Sequence, residues 1–148
     1  MYWLAWANKM NIFIICSKHF YDRVSEIADE LKSYGHKTTF PNSYESPFEE
    51  EDMKRKGLEH HINFKQKMMR LHEPKIKIND AVLALNFDKN SQSNYIGGGT
   101  FMEIVKAWEL NKKIYLYNPI PECIFTDELK GINPLIIHKD LTKIPLKP

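Results

Sequence analysis

Two runs of residues constrain this chain more than any other feature: NIFIICS at 11–17 and DAVLALN at 80–86. Both have the length of a strand, both are almost unbroken in apolar side chains, and both end in a small polar residue. A strand with one face in water alternates polar and apolar positions. An unbroken run therefore implies burial on both faces and a central place in a parallel sheet. Whatever surrounds these two strands has to cover two faces.

The intervening segments supply that cover. Phe20, Val24, Ile27, Leu31 and Tyr34 recur at spacings of three and four, which predicts an amphipathic helix, and Gly35 stands where a helix end wants a left-handed residue. HKTTF (36–40) reads as a short second strand. In PNSYESP, Ser46, Pro47 and Glu49 spell a helix start: cap, first-turn proline and capping-box acid. Glu50 with Lys54, Glu51 with Arg55, and Asp52 with Lys56 are i,i+4 pairs in the favourable order, so this charge run reads as a solvated helix face. Gly57 bends or divides that helix, and Pro74 closes the segment no later than Glu73. After DAVLALN come a polar loop, a glycine turn and a helix carrying Phe101, Ile104, Val105, Trp108 and Leu110. KIYLY (113–117) and PLIIH (134–138) complete the strands, with a short helical stretch near Thr126 to Lys130 between them.

Strands alternating with helices through short turns predict right-handed crossovers and an α/β, doubly wound, mainly parallel five-stranded sheet with helices on both faces. The 148 residues, 43% of them hydrophobic, suffice for one core. We place a single domain at 11–148 and read 1–10, MYWLAWANKM, as an N-terminal extension, loose or docked on a neighbour through Trp3 and Trp6. It lacks a basic leader and is shorter than the ~18 apolar residues a membrane span needs, so a cytoplasmic protein with no membrane partner is expected. Lys plus Arg number 21 against 19 Asp plus Glu, which gives no electrostatic reason to expect nucleic acid. Two cysteines with neither CxxC nor HExxH, and histidines without ligand spacing, imply no metal and no cofactor.

In such sheets ligands collect at the carboxyl ends of the strands, where strand order reverses. That rim is expected to carry Ser17, Lys18, His19, Asn42, Asn86, Asp88, the turn Gly97, Gly98, Gly99 with Thr100, and Asn118. The stretch YIGGGTFMEIVKAW (95–108) is neither GxGxxG nor GxxxxGK[ST], which disfavours dinucleotide and triphosphate sites. It offers instead a helix N-terminus stripped of side chains, with free backbone N–H groups for a polar ligand. Glu103 has two readings that the residues leave open. Thr100 and Glu103 form a T-x-x-E capping box, or the carboxylate, held ionised in the first turn by the helix dipole, serves as a nucleophile. Asp88 and Asn86 suit either ligand contact or ordinary turns. Tyr95 is placed to hydrogen-bond a carboxylate, stack on a base or simply pack. His72 faces the same rim or is an exposed histidine near a helix C-terminus, and His60 and His61 read as surface residues.

The stretch from Asp80 to Pro121, with its Asp-Ala strand, glycine turn, acid inside the next helix and NKKI lead into another strand, resembles the nucleoside 2-deoxyribosyltransferase family, including its 2′-deoxynucleoside 5′-phosphate N-hydrolase members. With NIFIICS and its helix, the resemblance covers most of the chain. It implies a flavodoxin-like fold and cleavage of an N-glycosidic bond in a small-molecule nucleoside or nucleotide. Glu103 falls on the family's catalytic glutamate, which attacks the anomeric carbon and forms a glycosyl ester; a second base or water resolves it. The leaving nucleobase has to be protonated or hydrogen-bonded. Six residues before that glutamate the transferases place an aspartate and the hydrolases a serine, whereas this chain has Gly97. Asp88 is then the candidate for handling the base, with Tyr95 or His72 orienting Glu103, and Ser17, Lys18 and His19 contacting sugar or 5′-phosphate. A homodimer or larger assembly is implied as well. Two rival functions accompany this one: a non-catalytic nucleotide-binding or sensor module in which Glu103 only caps its helix, and a nicotinamide-dinucleotide glycohydrolase.

Overall fold

The computed structural model describes residues 9–147. Five strands form one sheet: β1 (Asn11–Ile15), β2 (Lys37–Thr39), β3 (Ala81–Ala84), β4 (Lys113–Leu116) and β5 (Leu135–Ile136). Their order is β2-β1-β3-β4-β5 and every pairing is parallel. The helices are α1 (Tyr21–Ser33), α2 (Glu49–Lys56), α3 (Leu58–Arg70), α4 (His72–Lys77), α5 (Gly98–Glu109) and α6 (Thr126–Ile132). The doubly wound α/β architecture expected from the alternation is the one observed.

Why the two apolar runs are unbroken is visible in the register. Successive side chains of a strand point to opposite faces, and in β1 Ile12 and Ile14 join Val24, Ile27 and Leu31 of α1 in one core. Phe13 and Ile15 join Ile76 of α4, Ile104 and Ala107 of α5 and Leu129 of α6 in the other. In β3, Leu83 goes to the first core and Val82 and Ala84 to the second. Central strands have no wet face on which to carry a polar residue.

Several boundaries differ from expectation. Ser46 does not cap α2, whose N-cap is Phe48 without a side-chain hydrogen bond; the Ser46 carbonyl instead accepts from the Glu49 N–H in a preceding turn. Pro74 sits inside α4 rather than ending a helix, because the first turn of a helix does not need its N–H. Gly57 does divide the charged segment, with φ 126 between α2 and α3, and Gly35 ends α1 at φ 93. Tyr34 and Trp108 lie off the buried stripes and are 41% and 53% exposed. Met10, assigned to the extension, is buried in the first core, and its carbonyl accepts from the Lys37 N–H. Trp3 and Trp6 lie outside the described residues.

Among the described residues none of the three expected i,i+4 ion pairs of α2 forms. Asp52 pairs with Arg55, while Glu50 turns inward to His61 and Lys65 of α3 and to Lys18 beyond β1. The charge run is therefore only partly a solvated face, and His61 is not a free surface residue. These contacts hold α2 and α3 as an arm over the carboxyl end of β1.

Candidate active site

The chain leaves β1 for α1 on one sheet face and leaves β3 for α5 on the other, so a crevice opens between their carboxyl ends. A cavity of about 400 Å³ occupies it. Its floor includes Cys16, Ser17 and Tyr21; one wall is Gly97, Gly98, Gly99, Thr100 and Glu103; the α2–α3 arm supplies Glu50, Lys54, Phe64, Lys65 and Met68.

Glu103 is the sixth residue of α5 and stands on its buried stripe with Thr100, Ile104 and Ala107, a position the 3.6 period otherwise gives to an apolar side chain. The residue is 9% exposed. Among the described residues its carboxylate has no hydrogen-bond or ion-pair partner. Burial pushes its pKa up to about 8, with Lys75 pulling weakly the other way. The expectation of a first-turn carboxylate held ionised by the helix dipole is thus corrected: Glu103 lies one turn deeper, where desolvation wins. The capping box is not formed either, since the N-cap is Gly97 and Thr100 is already the third helical residue.

Of the other expected residues, Ser17, Lys18, His19, His72, Tyr95, the three glycines and Thr100 all line this cavity. Ser17 Oγ accepts from the His19 N–H at 3.4 Å and caps the 3₁₀ turn Lys18–Phe20. Lys18 is bound to Glu51 and lies 3.9 Å from Glu50. His72 opens α4 rather than closing a helix, and it is buried, not exposed. Burial, then Lys65 and Lys106, lower its pKa, which favours the neutral imidazole. Gly98 and Gly99 have nothing within 4 Å of where a Cβ would stand, which leaves the first-turn backbone open to the cavity.

Asp88, Asn86 and Asn118 are elsewhere. Asp88 accepts from the Asn94 N–H at 3.0 Å and closes its own loop, outside the Glu103 cavity. Asn86 and Asn118 bind each other beneath the rim. The Asn118 N–H donates to Asn86 Oδ1 at 2.8 Å, the Asn86 amide donates to the Asn118 carbonyl at 2.8 Å, and the Asn118 amide returns a bond to the Asn86 carbonyl at 3.1 Å. They extend the β3–β4 ladder with side chains and leave little capacity for a ligand.

Tyr21, Cys16, Glu50, Lys54 and Lys65 were not found from sequence. Tyr21 begins the helix directly after the rim residues, which is the one available signal. Its hydroxyl is pushed up to about 12 by burial and by the nearby Cys16 and Glu103. Burial and Glu103 raise the Cys16 thiol as well, so it is a neutral, unreactive group. The arm residues meet the rim only through tertiary contacts. Among the described residues no cluster of three His, Cys, Asp or Glu side chains is placed to hold a metal ion. No helix there is long and apolar enough to cross a membrane.

A second cavity of about 700 Å³ lies beyond the glycine turn, lined by Ser91, Gln92, Ile96, Pro121, Cys123 and Phe125 among others, and sharing Tyr95, Gly97 and Gly98 with the first.

No protein-family model matches the chain, and no curated protein matches it in sequence. Among solved structures, the fold is similar to that of the Clostridium botulinum CMP N-glycosidase BcmB, at a TM-score of 0.53 and 17% identity over 90% of this chain and 97% of that one.

Proposed function

We propose that this chain breaks the N-glycosidic bond of a nucleoside or its 5′-monophosphate, with Glu103 attacking the anomeric carbon. The observation that carries the reading is the partnerless, buried carboxylate at the wall of an open cavity on the sheet's switch point. An acid kept at such cost in desolvation marks a functional position more often than a structural one. The likeness to a CMP N-glycosidase supports the choice of bond, and Lys54, which has no ion-pair partner among the described residues, suits a phosphate-bearing substrate.

The raised pKa fits the chemistry. With its pKa pushed up to about 8, Glu103 holds a proton near neutrality and gives it to solvent before attack; positive charge building on the sugar then favours the carboxylate. Desolvation that opposes the resting charge strengthens its attraction to the transition state. The capping-only role on which the sensor alternative depends has no basis in the geometry, because Glu103 caps nothing.

The test is chromatography after incubation with a panel of ribo- and deoxynucleosides and their monophosphates, with and without a free acceptor base. New nucleosides indicate transfer; base and free sugar indicate hydrolysis. Glu103→Gln is expected to lower base release at least ~10²-fold. Unchanged release from every substrate would sink the assignment. Assembly as a homodimer or larger oligomer is part of the same proposal and is checked by light scattering during size exclusion.

A further inference from the structure

Gly97 carries a steric message. Its φ of −81 is open to any residue, so backbone freedom does not explain a glycine there. What a side chain would meet is Tyr95, whose hydroxyl lies 3.2 Å from the position of a Cβ on Gly97. Tyr95 is itself held from several sides. Asn94 before it takes φ 57, the Tyr95 N–H donates to the Phe87 carbonyl at 2.8 Å, Phe20 packs edge-on at 6.4 Å, and Lys89 Nζ stands 4.4 Å from the ring centroid. The hydroxyl, by contrast, has no hydrogen-bond partner among the described residues. A braced ring with a free O–H forms part of the wall shared by both cavities.

The two cavities differ in chemistry. Lys18, Lys54 and Lys65 line only the first, while the second offers Ile96, Pro121 and Phe125, the last stacked on Phe101 at 4.2 Å. With a sugar at Glu103, the anionic end of a nucleotide belongs at Lys54, since Lys18 and Lys65 are paired with Glu50 and Glu51, and the planar base with the apolar room beyond the glycine turn. Tyr95 stands at that junction. Asp88 lines neither cavity, so it does not reach a base placed there.

Resting on the reaction proposed at Glu103, we propose that Tyr95 is the acid for the leaving base, its hydroxyl aimed across Gly97 at a base lodged in the second cavity. A Glu103 oxygen bonds to the anomeric carbon as the carbon–nitrogen bond breaks; the bonding pair leaves with the base, and the Tyr95 proton passes to it. Water then opens the glycosyl ester and regenerates the Glu103 carboxylate. The proton that water sheds restores the Tyr95 phenol.

The experiment compares leaving groups. Wild type, Tyr95→Phe and Gly97→Ala are assayed on the eight common ribo- and deoxynucleoside 5′-monophosphates and on the 4-nitrophenyl glycoside 5-phosphates of the same two sugars, whose leaving group needs no proton. Tyr95→Phe keeps the ring and its packing. It is expected to lose ~10²-fold or more on the nucleotides and only a few-fold on the nitrophenyl substrates. Gly97→Ala, which crowds the hydroxyl, is expected to lose ~10-fold with the same preference for the activated leaving group. Equal losses on both substrate kinds, or no loss, would overturn the Tyr95 assignment while leaving Glu103 in place. A wild-type protein that releases no base from any of these nucleotides, nor from the nucleosides of the panel above, would overturn the reaction itself, and this role with it.

Discussion

Glu50 and Glu103 line the same cavity, yet they end up far apart in acidity. Burial raises both. For Glu103 only Lys75 opposes it, and the pKa stands at about 8. For Glu50, His61, Lys65 and Lys18 outweigh burial and bring it to about 2. The difference is one of partners, not of depth alone. A carboxylate tied to two lysines and a histidine fastens the arm to the rim, whereas one with no partner is available to a substrate. Exchanging their roles by mutation is therefore the most direct way to break the comparison.

The largest expected effect is on turnover. While Glu103→Gln loses at least ~10²-fold, Glu50→Gln is expected to stay within about tenfold of wild type, because it disturbs the arm and not the reacting atoms. Comparable losses from both would mean that neither carboxylate is specially placed. Next is the pH profile. If the ionised form of Glu103 attacks, kcat/KM rises about tenfold per pH unit up to about 8 and then levels. A profile already flat at pH 6 would show a carboxylate of ordinary acidity.

Stability is expected to move in opposite directions for the two acids. The folded pKa of Glu103 lies above its unfolded value, so its contribution is present below about 4.5 and is lost as pH rises to about 8. Glu103→Gln, free of that loss, is expected to melt about 5 °C higher than wild type at pH 9, with the gap closing toward pH 4.5. Glu50 has the reverse sign: its stabilisation is present above about 4.5 and is lost as pH falls to about 2. Glu50→Gln is expected to melt about 3 °C lower at pH 7 and to match wild type near pH 2. Calorimetry across pH reads both.

The same pair shows what could be read in advance. NIFIICS and DAVLALN announced central strands because burial on two faces is written in the side chains themselves, and Gly35 and Gly57 announced breaks because few residues take their φ. Glu103 was legible as a candidate from its place after the glycine turn. Its environment was not, since a local capping box and a dipole both predicted an ionised group and the buried stripe of α5 decided otherwise. Glu50 was misread as solvated because spacing within α2 says nothing of Lys18, 32 residues earlier, or of His61 and Lys65 on the next helix. Asp88 was misplaced for a similar reason: the polar loop after β3 folds back on itself, Asp88 Oδ1 accepts from the Asn94 N–H, and the side chain lines neither cavity.

Asp52 offers the smallest and sharpest control. It belongs to the same acidic run as Glu50, but two residues turn a helix by about 200°, so it points away from the cavity. Its bond to Arg55 joins side chains that are 51% and 71% exposed, in water that screens the charges and with two flexible side chains to immobilise. Such a pair contributes under about 0.5 kcal/mol. Asp52→Asn is therefore expected to shift the melting temperature by no more than about 1 °C. A shift as large as that of Glu50→Gln would mean that the arm is held by the general charge of α2, and the separate role given to Glu50 would fall.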